Sequence, residues 1–264
     1  MRIVVTNDDG VGAPGIRHLA QVVRAAGHDV VVAAPHAEVS GAGAALSATV
    51  EGGRLLYEAV ELDGLAGVPV YSVPASPAYI AVLAGLGAFG GRPDALLSGI
   101  NRGANAGHAV LHSGTVGAVL TGATDGLRGL AVSLDILGDP ALNALPAADD
   151  ARRCWPTAAA IAAGLLDWLA AAPEGTALNL NVPDRPLEAV AGLRPATLAP
   201  FGQVQMTLVE SGTGFVRTAL KERGAERVPG SDVALLAEGY ATVTAVLPPV
   251  RHPTLAPPED WRRS

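Results

Sequence analysis

Two aspartates stand side by side at the end of an apolar run: Arg2–Thr6 (RIVVT) gives way to Asn7, Asp8, Asp9 and Gly10. Carboxylates a few ångströms apart repel, and one pKa climbs unless a cation neutralises the pair. A divalent metal is the usual remedy, and oxygen donors with no adjacent His or Cys suit Mg²⁺, Mn²⁺ or Ca²⁺ better than zinc. The plainer alternative is a turn at Gly10 leading into a helix at Pro14. Downstream, residues 98–115 (SGINRGANAGHAVLHSGT) carry four glycines, Asn101, Asn105, the cation Arg102 and hydroxyls at Ser98, Ser113 and Thr115. A loop of that composition exposes backbone N–H groups to an anion, and the helix expected from residue 116 directs its dipole at the same place. The stretch has neither the Lys of a P-loop nor a GxGxxG fingerprint. Ser40 and Gly41 supply a third polar loop.

These loops need a frame that gathers them, and the intervening pattern provides it. Pro14 opens a helix over 15–26 that Gly27 ends; apolar strands are expected at 29–34, 68–73, 95–97 and 129–134, with helices at 77–86 and 116–124 between them. Continuous apolar strands alternating with helices predict an α/β fold, a Rossmann-like doubly wound, mostly parallel sheet covered on both faces. In such a sheet, ligands sit beyond the carboxyl ends of the strands, where all three polar loops fall. A Pro/Ala-rich connector at 139–148 then leads to a long helix ending near Ala172 and a strand at 177–182. This divides the chain into a Rossmann-like core, 1–185, and a C-terminal β-containing extension, 186–264. The extension has short strands expected at 215–220 and 241–247, a loop at 222–232 and an irregular tail at 248–264. Scattered strands with open edges call for a partner, so the extension is expected to pack on the core and mediate oligomerisation.

Composition narrows the function. Over 264 residues, a 49% hydrophobic and 16% charged chain can bury a large core. The net charge of −7 and 4% aromatic content argue against gripping duplex nucleic acid or stacking bases. Cys154 is the sole cysteine, which excludes an intrachain disulfide framework and Cys-rich metal sites. The Ala/Leu-rich stretch at 158–172 is too short to span a membrane, and no signal-like segment stands at the start. A cytoplasmic protein with no membrane partner is expected.

The motifs VTNDDGVGAPGI (5–16), Ala34-Pro35 with Ser40-Gly41, SGINRGANAG, SGTVGA, NLNVPD (179–184) and PGSDVALLAEGYATVT (229–244) resemble, in order, those of the SurE (survival protein E) family. That family comprises metal-dependent acid phosphatases and nucleotidases. The resemblance implies a Rossmann-like core, a C-terminal portion that builds dimers or tetramers by exchange between subunits, and hydrolysis of nucleoside monophosphates. It places metal ligands on Asp8, Asp9, Ser40 and Asn101, with Mg²⁺ or Mn²⁺ as the cofactor and Ca²⁺ able to occupy the site. It places the phosphate turn on Ser113, Gly114 and Thr115, a second loop asparagine on Asn105, and a C-terminal-loop aspartate on Asp232, close to an active site, either its own or that of the neighbouring chain. Departures from the family pattern fall at Ala44-Ala45, at 75–80 (ASPAYI), at His112 where Tyr is usual, and at Thr121 where Glu is usual.

The reaction expected is phosphomonoester hydrolysis: the metal binds a phosphate oxygen and lowers the pKa of an attacking water, Asp8 or Asp9 orients that water, and the SGT turn stabilises the equatorial oxygens. An aspartyl-phosphate intermediate is the mechanistic rival. Asp8, Asp9, Asn101, Ser113 and Thr115 form the catalytic set, and Arg102, Asn105, Gly114 and Asp232 join Asn101, Ser113 and Thr115 as substrate contacts. The alternatives are a phosphatase for a non-nucleotide phosphorylated metabolite, a noncatalytic binder of phosphate ligands, and, on fold alone, a dinucleotide oxidoreductase.

Overall fold

The computed structural model describes residues 1–136, 147–200, 204–222 and 228–249. The first strand, β1 (Arg2–Thr6), is buried from Ile3 onward, and it is flanked by β2 (Asp29–Pro35) and β5 (Ala95–Arg102), both parallel to it. Outward on one side, β2 pairs with β4 (Val70–Val73), which pairs antiparallel with the two-residue edge strand β3 (Glu58–Ala59). On the other side β6 (Arg128–Asp135) and β7 (Ala177–Pro183) continue the parallel run. Then β11 (Ala241–Val246) pairs antiparallel with β7, and β8 (Leu193–Pro195) lies parallel to β11. Among the described residues this makes a nine-stranded sheet of order β3-β4-β2-β1-β5-β6-β7-β11-β8.

Helix α1 (Pro14–Ala25) repeats apolar Ile16, Leu19, Ala20 and Val23 along one buried stripe. Together with α4 (Trp155–Ala163) and α5 (Leu166–Ala171) it covers the sheet face that carries Ile3, Val5, Leu97, Leu130 and Leu180. Helices α2 (Pro77–Gly85) and α3 (Gly114–Thr124) cover the opposite face. The doubly wound, mostly parallel sheet expected from the sequence is therefore present, with antiparallel strands added at both edges.

Several local expectations differ from what is observed. The long helix before Ala172 is two helices, broken at Gly164 and Leu165. Strand β5 runs on past Leu97 to Arg102, so Asn101 and Arg102 are strand residues. A 3-10 turn, Gly107–His112, interrupts the long polar loop, and the helix after it starts at Gly114. The loop expected up to residue 232 ends where α6 (Asp232–Ala237) begins, capped by the Ser231 hydroxyl, which accepts from Ala234 N at 3.3 Å. Residue 185 does not bound the sheet, because β8 and β11 from the C-terminal part complete it. Among the described residues only β9 (Val204–Gly212) and β10 (Phe215–Glu222) stand apart, as an antiparallel hairpin. Most of the connector expected at 139–148 and of the tail at 248–264 lies outside the described residues.

Candidate active site

At the carboxyl end of β1 the chain turns sharply. Asn7 Nδ2 donates to Gly10 O at 2.8 Å, which closes the turn and aims the two carboxylates into one cleft. The loop after β2 is tied to the same place, since Val39 N donates to Asp8 O at 2.8 Å. From below comes α3, and its glycines decide how near it approaches. A Cβ at 117 would stand 2.5 Å from Gly43 O, so only glycine there admits the loop that carries Ser40. One at 114 would stand 2.8 Å from Asp8 Oδ2, so only glycine lets the start of α3 sit against that carboxylate.

The result is a cleft of about 290 Å³ lined by Asp8, Asp9, Glu38, Ser40, Gly41, Asn101, Arg102, Asn105, Ala109, His112 and Ser113. Seven of the ten residues singled out in the sequence meet there: Asp8, Asp9, Ser40, Asn101, Arg102, Asn105 and Ser113. Three do not line it. Thr115 is buried and its hydroxyl donates to Asp8 Oδ1 at 2.5 Å. Gly114 packs beside the same carboxylate, and the backbone N–H groups of residues 114 and 115 both act on Asp8. The start of α3 is thus directed at Asp8, and Ser113 is the member of the turn that faces the cleft while its Oγ also caps α3 by accepting from Val116 N at 3.0 Å.

Asp232 does not line the cleft of its own chain. It is fully buried, its Oδ2 accepts from Gly107 N at 2.7 Å, and its Oδ1 accepts from Ala199 N and Val233 N at 2.9 and 2.8 Å. Three backbone donors occupy both oxygens, which leaves this carboxylate a structural task within its own chain. His36 turns away from the cleft to Ser72 Oγ, 3.2 Å distant.

Electrostatics mark the two aspartates. Burial pushes the Asp8 carboxyl above its ordinary range, opposed by the Thr115 hydroxyl and the surrounding backbone N–H groups. Asp9 is pushed up to about 7, first by burial and then by the charge of Asp8, with Glu38 and Asp150 adding to it and the Arg102 backbone N–H opposing. The Asp9 Oδ2 atom is buried without a hydrogen-bond partner. Arg102 Nε is held at 3.1 Å by Asp150 Oδ1, leaving its terminal nitrogens to serve an anion in the cleft.

The donor set fits a hard divalent cation. Asp9 Oδ2 lacks a partner, Asn101 Nδ2 donates to Gly103 O at 2.7 Å and so leaves Oδ1 as its free acceptor, and Ser40 Oγ donates its proton to Glu38 at 2.7 Å and keeps its lone pairs. Among the described residues no group of three or more His, Cys, Asp or Glu side chains is assembled for a metal. A cation here would rest on two carboxylates and two neutral oxygens, which is magnesium-like rather than zinc-like chemistry. Sequence reasoning passed over Glu38, although a carboxylate two residues before Ser40 was a visible signal. It also passed over Asp150, which no local pattern connects to Arg102.

Comparison with known proteins identifies relatives along nearly the whole chain. The family model described as Survival protein SurE matches residues 3–205. A protein of Rhizorhabdus wittichii named 5'-nucleotidase SurE is 36% identical over 251 residues, covering 92% of this chain and 92% of its own. An Escherichia coli protein named 5'/3'-nucleotidase SurE is 34% identical over 249 residues, covering 92% and 89%. The crystal structure of the SurE protein from Aquifex aeolicus superposes with a TM-score of 0.75 at 26% identity, covering 95% of each chain.

Proposed function

Because the chain belongs to the SurE family, we propose that its cleft hydrolyses phosphomonoesters with the help of a divalent metal ion, and that nucleoside monophosphates are its substrates. The observation that carries this reading is the meeting of Asp8, Asp9, Ser40 and Asn101 around a buried carboxylate oxygen with no partner. Mg²⁺ or Mn²⁺ is the cofactor proposed, with Asp8, Asp9, Ser40 and Asn101 holding it; when bound, such a cation supplies Lewis acidity toward a phosphoryl oxygen.

The chain's own residues do the rest. Thr115 and the start of α3 hold Asp8 at one angle. Arg102 offers its terminal N–H groups to the phosphate, and Ser113 and Asn105 bound the same space. Ala109 and His112 form the wall that the leaving group would meet. Asp9 lines the cleft beside Asp8, the position from which a carboxylate would orient an attacking water.

The exposed apolar residues Leu208, Val209, Phe215 and Val216 on the β9–β10 hairpin are the surface proposed to meet another copy of the chain, giving a homodimer or homotetramer. No helix among the described residues is long and apolar enough to cross a membrane, and the proposed setting is the cytoplasm. The test is a panel of 5'- and 3'-nucleoside monophosphates, sugar phosphates and p-nitrophenyl phosphate, each with Mg²⁺ or Mn²⁺ and again with EDTA. Turnover of nucleoside monophosphates that EDTA abolishes is expected. Preference for a non-nucleotide ester would reassign the substrate, and absence of turnover on the whole panel would refute a hydrolase.

A further inference from the structure

A row of polar side chains crosses the sheet at the level of the cleft: Asn101 of β5 is in register with Ser133 of β6, Ser133 with Asn181 of β7, and Asn181 with Thr242 of β11. Ser133, Asn179 and Asn181 are all fully buried and none lines the cleft. Polar groups so placed cost stability unless they are bonded. Here their bonds converge on one residue. Asn105 Nδ2 donates to Ser133 Oγ at 2.9 Å, and Asn105 N donates to Asn181 Oδ1 at 2.8 Å. Asn105 O accepts from Asn179 Nδ2 at 2.7 Å and from Asn181 Nδ2 at 3.1 Å. Two residues on, Gly107 N donates to the buried Asp232.

We infer that Ser133, Asn179, Asn181 and Asp232 are positioning residues for the reaction, a buried clamp that sets the Asn105–Gly107 stretch against the cleft without touching substrate. The clamp takes up the donor end of the Asn105 amide and both backbone groups of that residue, which leaves Oδ1 as the amide atom able to serve the cleft. It also anchors the start of the 3-10 turn that brings Ala109 and His112 to the wall. A loop left to itself would sample many conformers, and misplacement by about 1 Å can cost on the order of 100-fold in rate. The clamp also gives Asp232 a task that reaches the cleft through backbone alone.

The test rests on the phosphohydrolase reading for its kinetics and has one arm that does not. Ser133 Oγ meets Asn105 through the side chain, so a double-mutant cycle isolates the link. With p-nitrophenyl phosphate and saturating Mg²⁺, Ser133→Ala should lower kcat by about 5- to 10-fold with little change in KM, the order expected for one lost hydrogen bond. In an Asn105→Ala background the same change should have no further effect; multiplying losses would overturn the proposal. The independent arm is amide hydrogen exchange of the full chain with Mg²⁺ present. Asn181→Ala should speed exchange over 103–112 and leave α1 as it was, whereas no change, or a uniform rise, would overturn the clamp. If Asn181→Ala does not fold, Ser133→Ala is measured by exchange in its place. A wild-type chain without turnover would sink the hydrolase reading and leave the exchange result to decide the clamp.

Discussion

Replacing Gly114 with alanine separates two effects that pull in opposite directions. Glycine to alanine in a helix favours folding by up to about 1 kcal/mol, so helix propensity predicts a protein at least as stable as the parent. The packing predicts damage confined to the cleft. The new methyl would stand 2.8 Å from Asp8 Oδ2, 2.9 Å from Asp8 Cβ and 3.1 Å from Asp8 Cγ, all closer than ordinary contact. Either the carboxylate or the helix start must yield by about half an ångström to restore normal van der Waals separation. Any such shift strains the 2.5 Å bond from Thr115 Oγ1 to Asp8 Oδ1 and turns a proposed metal ligand away from its partners. Disturbing a group that orients a ligand typically costs about 10- to 100-fold in metal affinity or activity. Gly114→Ala should therefore lower kcat/KM for a phosphomonoester by about 10- to 100-fold, or about 1.4 to 2.7 kcal/mol. Its Mg²⁺ titration should move to higher concentration, with Tm within a few degrees of the parent. The assay is a metal titration of initial rates beside a thermal melt. Parent-like activity with an unchanged metal requirement would refute the assignment of Asp8. A collapse in Tm would refute the claim that the damage is local.

The turn after the loop gives a graded pair. Thr115→Val keeps the shape but removes the donor to Asp8 and should cost about 1 to 3 kcal/mol, seen both in kcat/KM and in a raised acid limb of the pH profile. Ser113→Ala removes the cap of α3 and should cost about 1 kcal/mol of stability, measured by urea unfolding, with a smaller effect on rate than Thr115→Val. The raised Asp8 and Asp9 groups make the metal-free folded state bind more protons than the unfolded chain between the ordinary carboxylate range and about pH 7, so stability is greatest on the acid side and is lost as pH rises through that window. Melts in EDTA should show Tm falling from pH 5 to pH 8, flattened in Asp9→Asn and reversed by Mg²⁺ at pH 8; a flat wild-type profile would contradict this. On the hairpin, Val216→Glu should shift light scattering toward smaller species without lowering the Tm of the dissociated chain, because Val216 is 70% exposed in the isolated chain.

How much of this could be read from residue order depends on the range of the forces involved. The parallel core was legible because β1, β2 and the first residues of β5 are nearly unbroken apolar runs, the pattern that burial on both faces demands. The carboxylate pair, the Asn101–Asn105 stretch and the Ser40 turn were legible because each lies at or beyond the carboxyl end of a strand, where the fold class alone brings residues together. Edge strands β3 and β8 are too short to show a period, and α6 is a six-residue helix announced mainly by its Ser231 cap.

The amino-acid sequence by itself thus determined the parallel core of the sheet and most of the residues that meet in the cleft, since hydrophobic period and turn chemistry act over a few residues. Tertiary structure alone decided which groups face the cleft and which stand behind it. Thr115 and Asp232 are both polar residues at helix starts, yet one holds Asp8 and the other holds Gly107 N, 125 positions away in the chain. That division follows from burial: a carboxylate or hydroxyl taken out of water must bond whatever donor or acceptor the packing brings within about 3 Å, and only the assembled sheet and helices determine which one that is.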